Sequence, residues 1–180
     1  MKSAISVPRR LFIALLLFAA FAASARDIRE FGAKGDGTAD DTAAIQRAVS
    51  AGGAVHFSKG TYRLTKTVLV ELDKTGFVSL IGDGTARVLM AGAGPAFKFL
   101  GTHGGTADPE QFKPNVWERQ RMPVVDSLAI EGAHAEANGI EAEGTMQITI
   151  TRSHFRSLRH HHSLKRLFHL KEAAATHNPS

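Results

Sequence analysis

From Gly53 to Leu100 the chain offers no helical pattern. Apolar stretches of about four to six residues follow one another, each closed by Gly or Asp. They are Ala54–Phe57, Tyr62–Val70, Phe77–Ile81, Arg87–Met90 and Ala96–Leu100, the second longer and alternating along its length. With no helix between them, βαβ units are excluded and a sheet that turns often is implied. One helix precedes them. The spacing of Ala44, Ile45, Ala48 and Val49 predicts a helix over 39–51 with one apolar stripe. Thr38 is its expected N-cap, Asp40 and Asp41 sit in its first turn, and Gly52-Gly53 ends it.

The helix follows a glycine-rich loop in "FGAKGDGTADDTAAIQRAV", residues 31–49. The glycines at 32, 35 and 37 are in the wrong order for a dinucleotide fingerprint, and "DIREF" is too polar for a buried parallel strand. Gly32 and Gly37 have P-loop spacing, but Thr38 stands where the lysine must be. A calcium loop through Asp36, Thr38 and Asp40 has Asp41 in place of its glycine and Arg47 in place of its final glutamate. The loop therefore starts a fold: its glycines turn the chain and its acids cap a helix.

Residues 102–123 interrupt the strand rhythm. They hold three of the six prolines and the only tryptophan, Trp117, on a long polar loop of the kind that is often functional. Strands resume in "VVDSLAIEG" and "MQITITRSHFRSL", separated by "NGIEAEG". Their similar form suggests a solenoid with a period of about 20–25 residues. Ile130, Ile140, Ile148 and Ile150 are expected inside it.

"FGAKGDGTADDTAAIQRAV", "GGAVHFSKGTYRLTKTVLV" and "SLIGDGTARVLM" together resemble the N-terminal segment of the pectate-lyase superfamily, with its rhamnogalacturonase- and epimerase-like members. The resemblance is close over residues 27–100 and looser to 158. It implies a mainly β fold, a right-handed parallel β-helix with one N-terminal capping α-helix. The helix would cover the first rung, with Ile45, Ala48 and Val49 resting on it and Tyr62 packing near the cap. An uncovered first rung would be an exposed edge. The resemblance also implies an acidic or neutral polysaccharide as partner, acted on by hydrolysis, elimination or epimerisation. The alternative is a β-helix that binds carbohydrate or serves as a shaft without chemistry.

Catalytic residues are not assigned. Members of this superfamily place their acid and base groups on rungs later than this sequence reaches, so the chain is read as a truncated, inactive N-terminal part. An inverting hydrolase needs two carboxylates roughly 6.5–9.5 Å apart. Asp126 stands alone, and Glu141 and Glu143, two apart on one strand face, read as an outward acidic face. His56 reads as a strand residue, Lys34 and Arg47 as cap surface, and Trp117 as either a sugar platform or a packing residue. No cofactor is expected.

The two ends differ from the middle. Lys2, Arg9 and Arg10, the uncharged run Leu11–Ala22 and Ala23-Ser24-Ala25 form a secretory signal over 1–25, too short in its apolar run to span a membrane. A secreted or periplasmic protein with no membrane span after its removal is expected. It has no cysteines, so packing and backbone pairing must hold it. Residues 26–155 carry 14 Lys and Arg against 16 Asp and Glu, which offers nucleic acid no basic patch. The β-helix is expected over 26–158, followed by a basic, histidine-rich tail over 159–180 that departs from the family and resembles out-of-frame sequence. Leu164, Leu167, Phe168 and Lys171 share one side of a short helix there, which would suit a membrane surface or a partner. Adjacent histidines cannot all face one ion, so no metal is assigned to His160-His161-His162. Nothing caps the last rung well, and self-association through it is expected.

Overall fold

A computed structural model describes residues 25–103 and 114–159 and the backbone of 168–170. The signal region, the His160–His162 run and most of the tail lie outside the described residues. The backbone forms three parallel sheets that share successive rungs. Sheet A stacks β1 (Arg26–Asp27), β3 (Gly53–Phe57), β6 (Val78–Gly82), β9 (Val124–Asp126) and β12 (Thr149–Thr151). Sheet B stacks β2 (Asp36–Asp40), β4 (Thr61–Leu64), β7 (Arg87–Met90), β10 (Ala129–Gly132) and β13 (His154–Arg156). Sheet C stacks β5 (Val68–Glu71), β8 (Gly94–Leu100), β11 (Ala137–Glu143) and β14 (Phe168–Leu170). One turn visits A, B and C in order, which is the right-handed parallel β-helix that the family resemblance implied.

Alternate residues of each strand point inward and meet their equivalents one rung away. Val55 pairs with Leu80, Leu80 with Val125, and Val125 with Ile150. In sheet B the column is Tyr62, Val88, Ile130 and Phe155. In sheet C it is Val68, Phe97 and Ile140. Most of these side chains are fully buried, and Ile148, Ile150 and Phe155 are partly so. Phe57 meets both Tyr62 and Phe97 edge-to-face, with ring centroids 5.9 and 6.1 Å apart, and so ties the three sheets together.

The helix α1 (Thr42–Ser50) takes the place a strand of sheet C would occupy in the first rung. Ala44, Ile45, Ala48 and Val49 are buried beneath it, as their spacing required. One of its side chains meets the free edge of β5. Gln46 donates to the Leu69 carbonyl at 2.9 Å and accepts from the Leu69 N–H at 2.8 Å, imitating a paired strand along that edge.

The structure differs from the sequence pattern in several places. The helix begins at Thr42, not at residue 39, and Thr38 does not cap it. Asp36 holds the Thr38 N–H and hydroxyl and the Ala39 N–H, and β2 pairs with β4, so this stretch is extended. Asp41 is the N-cap residue, but its carboxylate faces away and takes the N–H groups of Lys34 and Gly35 at 2.7 and 3.0 Å. Tyr62–Val70 is two strands, because the chain turns a corner between sheets B and C. "NGIEAEG" is no separator: it lies mostly within β11. Phe168–Leu170 is a strand, not part of a helix, because the free edge of β11 offers its backbone ladder hydrogen bonds.

Candidate functional site

Outward residues of the sheets form columns, and their charges are matched from rung to rung. On sheet C the outward column runs Leu69, Lys98, Glu141 by strand register. Glu141 and Glu143 do share one face, as their spacing predicts. Lys98 lies between them, its Nζ 2.9 Å from Glu141 and 3.3 Å from Glu143. The bond from Glu141 leads in raising the ammonium above its ordinary value, against partial burial, with Glu143 adding to it. A fixed cation therefore occupies the space in which a hydrolase pair would hold water.

On sheet B, Glu131 is gripped by Arg87 from one neighbouring rung and by Arg156 from the other. The Arg87 bond holds its carboxyl below the usual range, burial opposes this, and Arg156 reinforces it. On sheet A, Asp126 is not alone: Arg152, one rung on, forks onto both its oxygens and lowers its pKa. Asp27 meets His56 at 3.3 Å. Burial pushes the Asp27 carboxyl up, but the Arg29 N–H, His56 and Ser58 outweigh it and leave it lowered. His56 is thus a strand residue paired to its neighbour in the ladder.

The remaining candidates are structural. Lys34 is exposed, while Arg47 donates to the Phe31 carbonyl at 2.7 Å and ties α1 to the turn below it. Asp36 and Asp40 both have their pKa held at about 2. For Asp36 the Ala39 and Thr38 N–H groups do this. For Asp40 burial works the other way, and bonds from Thr42 and Thr65 overcome it. No group of three or more metal-ligating side chains occurs among the described residues.

Trp117 sits on a π-helical turn, Val116–Gln120, at the corner between sheets C and A. Val116 and Gln120 are buried, and Gln120 binds Thr102 through both ends of its amide. Trp117 itself is 46% exposed, with the Arg121 guanidinium 4.7 Å from its ring centroid.

Sequence reasoning missed the pentapeptide "GDGTA", which occurs at residues 35–39 and again at 82–86. In both copies the aspartate closes a local turn; the first copy lies mostly within β2 and the second leads from β6 into β7. Asp83 accepts from the Thr85 N–H and hydroxyl and the Ala86 N–H, as Asp36 does from Thr38 and Ala39. The repeated letters were the available signal. Gln46 and the cross-rung ion pairs gave none, since their partners stand a whole rung, about 25 residues, or more away.

Three comparisons place this geometry among known proteins. A probable glucan endo-1,3-beta-glucosidase of Arthroderma benhamiae is 32% identical over 87 residues, covering 41% of this chain and 9% of that protein. Among solved structures, ORF18 of Geobacillus virus E2 superposes with a TM-score of 0.54 at 20% identity, over 87% of this chain and 29% of that one. The surface adhesin PfbA of Streptococcus pneumoniae gives a TM-score of 0.45 at 17% identity, over 80% of this chain and 41% of that one. The chain thus spans only a small part of the curated relative, and the viral likeness bears on fold alone. The family model described as "Rhamnogalacturonase A/epimerase, pectate lyase-like" matches residues 25–166, and the chain belongs to that carbohydrate-active family.

Proposed function

We propose that the chain is exported and serves as the fold-starting, polysaccharide-holding part of a carbohydrate-active β-helix, with no bond cleavage on its described rungs. One observation carries this reading. The strand acids Asp126, Glu131, Glu141 and Glu143 are each neutralised by a cation of a neighbouring rung, and Lys98 stands between Glu141 and Glu143. A general acid needs the opposite environment, one that raises its pKa toward neutrality. The family's hydrolysis, elimination or epimerisation of polysaccharide would then belong to rungs beyond Arg159. The Arthroderma relative, a probable glucosidase, supports a polysaccharide as the partner. Export follows from the signal read over residues 1–25, and an exported chain meets such polymers outside the cell.

The test is direct. Residues 26–180 are purified and incubated with polygalacturonate, rhamnogalacturonan, alginate and a β-1,3-glucan. No new reducing ends and no unsaturated uronate should form, while the chain is retarded in gels that contain the polymer it holds. Turnover of any of the four sinks the reading of inert rungs.

A further inference from the structure

We propose that Phe77, Trp117 and Met122 form a glycan-stacking ridge along the corner between sheets C and A. The ligand class rests on the carbohydrate reading above; the place rests on geometry. Of the four exposed large hydrophobic residues described, these three gather at one corner, at 51%, 46% and 46% exposure. Ser79 pairs with Val124, so Phe77 and Met122 each stand two positions before that couple, on consecutive rungs. Rungs are about 4.8 Å apart, so a chain lying along the solenoid axis meets the two in succession. Trp117 joins them through Arg121, which lies over its ring and precedes Met122.

The ridge is held, not loose. The Phe77 carbonyl accepts from Gly53 at 2.9 Å, and the Met122 N–H donates to Met146 at 2.9 Å. Arg119 lies 3.8 Å from where a side chain on Gly76 would begin, and so links the Trp117 turn to the residue before Phe77. One feature marks the corner as shaped for something other than stability. Trp117 rides a π-helical turn, a form that recurs at functional sites.

The chemistry favours a sugar over other partners. The ring of Trp117 offers an apolar face for the C–H face of a pyranose. Around it the exposed Glu118, Arg119 and Arg121 supply acceptors and donors for hydroxyls. Asp73 and Lys74 lie on the neighbouring short helix, Leu72–Thr75, and Glu71, at its N-cap, pairs with Lys74, so charge of both signs surrounds the ridge. A membrane surface would call for a longer apolar face and a basic rim. A protein partner would call for a broader apolar patch than three side chains.

Trp117 is the only tryptophan, so its fluorescence reports this corner alone. The full chain is titrated separately with polygalacturonate and with a β-1,3-glucan, the two arms separating charged from neutral polymer. Binding by either should shift the emission to the blue and shield the indole from acrylamide. Trp117→Ala and Phe77→Ser should each weaken binding about tenfold, and Trp117→Phe should restore part of it. Far-UV circular dichroism and Tm identify any variant that has lost its fold, and Phe77→Ser stands independently of Trp117. Binding that leaves the emission and both variants unaffected overturns the ridge but leaves the carbohydrate reading standing. Failure of every tested polysaccharide to bind the wild type overturns that reading, and the ridge with it.

Discussion

The amide of Gln46 is the simplest place to test how this solenoid is closed. It stands in for a whole strand, giving β5 two hydrogen bonds through one side chain. Each such bond adds about 1 kcal/mol net. Replacing Gln46 with Ala removes both, while the better helix propensity of Ala returns a few tenths of a kcal/mol. The Leu69 backbone is partly open to water, since its residue is 39% exposed, so no full desolvation penalty follows. Gln46→Ala should therefore cost about 1–2 kcal/mol. Gln46→Glu separates the two bonds: the introduced carboxylate accepts from the Leu69 N–H but opposes the Leu69 carbonyl. The charged form is disfavoured in the fold, so the folded pKa of the introduced carboxyl lies above its unfolded value of about 4.3. The stability of this variant relative to wild type is then recovered below about pH 4 and lost as pH rises through the folded pKa. Urea unfolding at several pH values, followed by circular dichroism, measures both variants. A cost under about 0.3 kcal/mol for Gln46→Ala, against the two bonds' expected sum, or a Gln46→Glu cost independent of pH, would show that the amide does not close the sheet.

Two further perturbations probe the cap and its acids. Gly35 has φ +64°, and a side chain there would start 2.6 Å from the buried ring of Tyr62, whereas nothing lies near Gly84 at φ +83°. Gly35→Ala should cost more than about 2 kcal/mol and Gly84→Ala about 1; equal midpoints in urea for the two would contradict this. Asp36 and Asp40 titrate at about 2, and Asp27, Asp83, Asp126 and Glu131 are also lowered. Their support is present above about pH 4 and is lost as pH falls toward 2. Tm should fall over that window, and more gently in the Asp36→Asn/Asp40→Asn variant; a Tm unchanged from about pH 5 to about pH 2 refutes it.

What the sequence showed, and what it hid, follows from the range of each interaction. The stripe of Ala44, Ile45, Ala48 and Val49 is local and was legible from its period. The start of that helix was not, because the acids that flank it serve other backbone. Asp36 closes its own turn and Asp41 reaches back to Lys34 and Gly35. Strand positions were legible from Gly and Asp punctuation, but "NGIEAEG" has glycine inside a strand. Gly139 is tolerated there because it faces Phe155 and Leu158, where a side chain would collide at 2.9 and 3.0 Å. Strand Phe168–Leu170 is bound through its backbone, so its letters carry little of the reason for it.

The candidate chemistry was hidden for a related reason. Asp126 looked solitary, and Glu141 and Glu143 read only as an outward acidic face, because a sequence displays neighbours along the chain, and in a solenoid the partners are one rung away. Asp126 finds Arg152, and Glu131 finds Arg87 and Arg156. Neighbouring rungs lie about 4.8 Å apart, within reach of any long side chain at the same register. An outward acid in such a fold is therefore an ion-pair member unless the rungs on either side withhold a cation. A catalytic pair must be written as acids on adjacent rungs with no Lys or Arg within two residues of their register, since Arg152 stands one position and Arg87 two positions off the acids they bind. By that rule the described columns of sheets A and B are closed. In sheet C, Glu141 has Lys98 in register on one neighbouring rung and the register position of His169 on the other, so Lys98 closes its column as well.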